Sequence, residues 1–124
     1  MKPFLLLWLI SLSLTTPAAA DHYDGIYRGL VLASYRHMET AYRCRRLIGV
    51  SHYRDARVTT ENSLRLSGMP TDIALLAVEK MVVRMQKAWP ERSETPSLTE
   101  CLTKMRLTQT ALQGWQTKLR SYWR

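Results

Sequence analysis

Cys44 and Cys101 are the residues of this chain with the sharpest chemistry. Two thiols can close an internal disulfide, stay buried and free, or bridge two copies. The three histidines, His22, His37 and His52, are the next candidates, and no two of them stand four apart on one helix face. No CxxC, CxxCH or HExxH pattern occurs, so no zinc, haem or other cofactor is expected. His37 precedes Cys44 by two helical turns and mimics a cysteine–histidine pair. A bridged Cys44 has no thiolate to offer, which leaves His37 as a packed helical histidine. His22, between Asp21 and Asp24, is either a weak terminal metal site or part of a hydrated terminus. Glu39, Glu61 and Glu79 are spaced like solvated helix-surface charges. No catalytic residue is assigned, and a non-enzymatic role is expected.

The compartment decides how the thiols are read. Residues 1–20 have the form of a secretory signal peptide. Lys2 is followed by an apolar run of about eleven residues, and small residues at Ala18 and Ala20 suit a cut before Asp21. That run is too short to span a bilayer, for which roughly twenty residues are needed. An uncleaved anchor is the alternative. Cleavage leaves residues 21–124 as one helical domain, with no stable membrane insertion expected. Lys and Arg number 18 against 10 Asp and Glu, and the leader removes only Lys2. An exported protein rarely meets nucleic acid, so the basic excess points to anionic headgroups, wall polymers or an acidic protein, or to a generally solvated surface. Two cysteines in an exported chain of this size favour an internal bridge, with free thiols or an intermolecular bond as alternatives. An internal bridge would close a loop of nearly sixty residues and contribute about 4 kcal/mol.

The elements that must position these groups are helical, since apolar alternation of the strand type is missing. The spacing predicts a first helix over 24–48 with Asp24 as N-cap, Leu30, Ala33, His37, Ala41, Cys44 and Ile48 as its stripe, and Gly49 as its end. Arg43, Arg45 and Arg46 fall in the last turns, where cations suit the helix dipole. A shorter helix is expected over 55–66, with Gly68 and Pro70 as a break. The third, over 70–88, is the most apolar, with Ile73, Leu76, Ala77, Met81 and Met85 on one face, and is expected at the bundle centre. Pro90 and Pro96 bracket the clearest loop. Ser97 and Glu100 have capping-box spacing and open a last helix running towards Trp123. Gly114 inside that helix suggests a close helix crossing, or chance. Trp89, Tyr122 and Trp123 are either exposed binding aromatics or packed rings. The expected fold is all-α: a compact four-helix bundle-like domain with one interhelical disulfide.

The order of these features resembles the Tai-type immunity proteins of type VI secretion, in the class matched to the fourth group of cell-wall amidase effectors. The residues that carry the likeness are Ala41, Tyr42, Arg43 and Cys44, then 63–70 ending in Gly68-Met69-Pro70, then 96–102 around Cys101. The resemblance implies a periplasmic, homodimeric protein that binds and inhibits a secreted peptidoglycan amidase by inserting a protruding loop into its active-site cleft. Carried onto this chain, that loop is Glu91, Arg92, Ser93 and Glu94. A proline-bracketed loop has already lost much conformational freedom, so ordering it on binding costs less. A solvated interhelical connection is the alternative for the same segment. Two other functions stay open. One is a non-lipidated, pilotin-like periplasmic chaperone that holds a partner's helix in an apolar groove. The other is a small helical enzyme acting on an anionic substrate.

Overall fold

The computed structural model describes residues 17–91 and 93–124. The expected leader lies outside them as far as residue 16, as does Arg92. Among the described residues the chain is all-α: α1 (Pro17–Arg43), α2 (Arg45–Ile48), α3 (Val50–Leu66), α4 (Thr71–Ala88) and α5 (Leu98–Tyr122). Four long helices make the bundle, and α2 is a single turn between the first two. None of the described helices is long and apolar enough to cross a membrane.

The first helix starts earlier than its sequence suggests. Asp24 lies inside α1, exposed, and caps nothing. Cleavage before Asp21 would bring Asp21 and Asp24 into the first turn, where their charge suits the helix dipole. The helix ends at Arg43, and Cys44 takes φ −93° and ψ 0° between α1 and α2. Gly49 then adopts φ 96° and Gly68 φ 101°, left-handed values that side chains resist, and each ends a helix.

α1 is the centre of the bundle. It packs along α5 and along α3, while α4 lies against α3. The α1–α5 pair is antiparallel: His22 meets Tyr122 at one end, and Cys44 is bonded to Cys101 at the other. Ile26, Leu30 and Ala33 of α1 bury with Leu112 and Leu119 of α5. Further along, Met38, Ala41 and Tyr42 join Ala56 and Leu64 of α3 and Ala74, Val78, Val82 and Met85 of α4. The third long helix is therefore peripheral rather than central. Its core face runs through Ala74, Val78, Val82 and Met85, and Ile73 and Leu76 point outward.

Candidate functional site

The segment from Trp89 to Pro96 is fastened at both ends and in the middle. Trp89 closes α4, its backbone N–H donating to the Met85 carbonyl at 2.9 Å. The Ser93 N–H donates to the Pro90 carbonyl at 2.8 Å, which ties Ser93 back to the end of α4. At the far end the Ser97 hydroxyl accepts the Glu100 N–H at 3.2 Å, as the capping box requires. Lys104 Nζ lies 2.9 Å from the Glu100 carboxylate and, with its hydrogen bond and charge, holds that carboxyl below its usual range.

A brace comes from the end of α1, nearly fifty residues away. The Arg43 guanidinium stacks 3.6 Å from the Trp89 ring centroid. Arg46 donates from Nη2 to the Glu91 carbonyl at 3.2 Å. Arg45, the first residue of α2, reaches back to the end of α1, donating to the Tyr42 carbonyl at 2.9 Å with its guanidinium 4.0 Å from the Tyr42 ring centroid. That is the dipole-favoured placement of a cation at a helix C-terminus. The Cys44–Cys101 bridge, with Cα atoms 5.8 Å apart, sits between the two arms of this brace. Between arginines and loop only about 20 Å³ of space remains, enough for a single water. The junction is a packed joint, not a substrate pocket.

Of the residues expected to meet a partner, Glu91 and Glu94 are exposed and Ser93 is half-buried. Arg92 lies outside the described residues. Trp89 is half-buried beneath Arg43, so it is not a free binding aromatic, and Trp123 is exposed. The arginine brace is the part that sequence spacing did not supply. Its only local trace is the run Arg43, Arg45 and Arg46 beside Cys44, which the helix dipole already accounts for.

His37 has a structural setting. Thr108 Oγ1 donates to the Lys104 carbonyl at 2.8 Å and lies 2.9 Å from His37 Nδ1, which places it to accept a hydrogen bond from an Nδ1–H tautomer. Burial lowers the basicity of His37, and the nearby His52 adds to the effect. Cys44 is bridged and offers no nucleophile beside it. Compared with protein-family models, curated proteins and solved structures, the chain matches none.

Proposed function

We propose that the protein is a periplasmic immunity protein that binds and inhibits a type VI secreted peptidoglycan amidase, with the 91–94 loop entering the enzyme's active-site cleft. One observation carries this: the described residues of the loop are braced before any partner arrives, by the Arg43–Trp89 stack, the Arg46–Glu91 hydrogen bond, the Ser93–Pro90 hydrogen bond and the Ser97 cap. Such a loop binds without a large ordering penalty. Its exposed carboxylates, Glu91 and Glu94, are hydrogen-bond acceptors suited to the polar groove of a Cys–His amidase. Occupying that groove would keep substrate from the nucleophile without any chemistry by the inhibitor.

The test is protection. An exported Cys–His amidase from the adjacent reading frame should kill cells unless this chain is co-expressed. Replacing 91–94 with glycines should weaken protection while the melting temperature holds. Full protection by that variant would remove the loop from the mechanism.

A further inference from the structure

A second surface lies between α1 and α5, away from the loop. Two concavities open along this seam, one of about 590 Å³ beside Ile26 and Tyr122 and one of about 360 Å³ beside Leu32 and Leu107. Trp115 lines both and joins them into one furrow. The indole rests where a side chain on Gly29 would stand, so glycine at that position is what lets the ring settle onto α1. Leu32 is 48% exposed and Leu107 59% exposed, on the two walls of the same stretch.

The furrow also has a sign. Arg36 lines one concavity, Lys118 lines the other, and among the described side chains no carboxylate lines either. Lys118 Nζ hangs 4.2 Å from the Trp115 ring centroid, a contact that leaves its charge unneutralised. Beyond Cys101 the chain holds Lys104, Arg106, Lys118, Arg120 and Arg124 and no Asp or Glu. From His22 to Arg36 α1 rises about 21 Å, or about four helical turns.

We infer that this furrow docks an acidic amphipathic helix of a partner protein. Its apolar residues, at three- and four-residue spacing, seat between Leu32, Leu107 and Trp115, and its flanking carboxylates meet Arg36 and Lys118. The concave shape and four-turn length suit a helix better than a flat anionic bilayer. No described residue of the 89–97 segment lines the furrow, so the inference stands apart from the loop's role.

A synthetic helix of about sixteen residues, with leucines at those spacings and glutamates on its flanks, is the probe. A second peptide replaces each glutamate with lysine, and vesicles of phosphatidylglycerol and phosphatidylethanolamine form a third arm. Titration followed by amide NMR should show saturable shifts at Gly29, Leu32, Ala111 and Trp115 with the acidic helix alone. Leu107→Glu, and separately the pair Arg36→Glu and Lys118→Glu, should weaken binding at least about tenfold, the factor expected for one good contact. The charge pair lies on the surface and keeps the test open should Leu107→Glu unfold the chain. Glycine replacement of 91–94 should leave binding unchanged. Equal binding of the lysine peptide, shifts scattered over other basic faces, undiminished binding by the variants, or vesicles moving the same amides in place of the peptide would each overturn the inference.

Discussion

Removing the Cys44–Cys101 bridge tests how the bundle and its loop are held together. The bridge spans 57 residues. A crosslink of that span withholds about 14 cal/mol/K of entropy from the unfolded chain, or about 4 kcal/mol at 25 °C. A domain of this size is stable by only about 5–15 kcal/mol, so the bridge is a large share of the whole. At about 4–8 °C per kcal/mol, the melting temperature should fall by about 15–30 °C. Both cysteines are buried, so reductant has little access to the folded chain, and the double variant Cys44→Ala, Cys101→Ala is the cleaner perturbation. Urea unfolding followed by far-ultraviolet circular dichroism should show a midpoint lower by about 1–4 M. A second readout reports on the loop. A glutamyl endopeptidase, applied where both proteins are still folded, should cut after Glu91 and Glu94 several-fold faster in the variant, because Arg43 and Arg46 flank the lost anchor. A stability loss below about 1 kcal/mol would refute the entropy argument. Unchanged cleavage would take the bridge out of the brace. Alkylation of both thiols in the native, unreduced protein would deny the bridge altogether.

Two further outcomes follow from the packing. Gly114 has open space where a Cβ would go, so Gly114→Ala should stabilise α5 by about 1 kcal/mol in a urea melt, whereas Gly29→Ala meets the Trp115 ring and should lose about 1–3 kcal/mol to overpacking against that same propensity gain. Equal effects of the two would refute the Gly29–Trp115 contact. His37 is buried with lowered proton affinity, so the unfolded chain binds its proton more readily than the folded one. Stability should therefore be full above the ordinary histidine range and fall as pH drops through it towards the lowered folded value. Melting temperatures between about pH 8 and pH 5 should show that decline, and His37→Gln, which does not titrate, should flatten it. Identical slopes would remove His37 from the acid sensitivity.

Local chemistry was legible in the sequence, and long-range placement was not. Ser97 and Glu100 announce the start of α5 because a cap is decided within four residues, and the observed N–H to hydroxyl contact follows. Gly68 with Pro70, and the two prolines around 91–94, mark breaks for equally local reasons. The stripe through Leu30, Ala33, His37, Ala41 and Cys44 is buried as its period requires, and Ile48, in α2, is half-buried. The rank of α4 was misjudged because apolar content measures how much surface a helix could bury, not how many neighbours it has. α1 takes the centre because small residues on its buried faces, Ala33, Ser34 and Ala41 beside Gly29, let two helices approach at once. Ser34 is buried for its size, its hydroxyl without a hydrogen-bond partner. Gly29 and Gly114 are the same residue type at similar helical positions. Only the location of Trp115 tells which one is needed. Arg43 on Trp89 is beyond any sequence period, since α2, α3 and α4 lie between the two residues in chain order.

The unbalanced charge acquires a physical role from how the cations are held. Arg43, Arg45 and Lys118 each lie over an aromatic ring, and Arg46 donates to a carbonyl. Glu100 with Lys104 is the one ion pair among the described residues. Stacking and carbonyl hydrogen bonds fix a side chain without cancelling its charge, whereas an ion pair does both. Loop brace and furrow wall are therefore built from cations whose field still reaches solvent. α1 carries one cation of each, Arg36 at the furrow and Arg43 at the loop about 10 Å further along the helix, with Glu39 between them. The excess of 18 Lys and Arg over 10 Asp and Glu favours approach by acidic surfaces and weakens with salt over about 10 Å at 0.1 M. Apolar contacts in the furrow and hydrogen bonds from the loop would then set how long each partner stays, because steering acts on arrival and close contacts on departure.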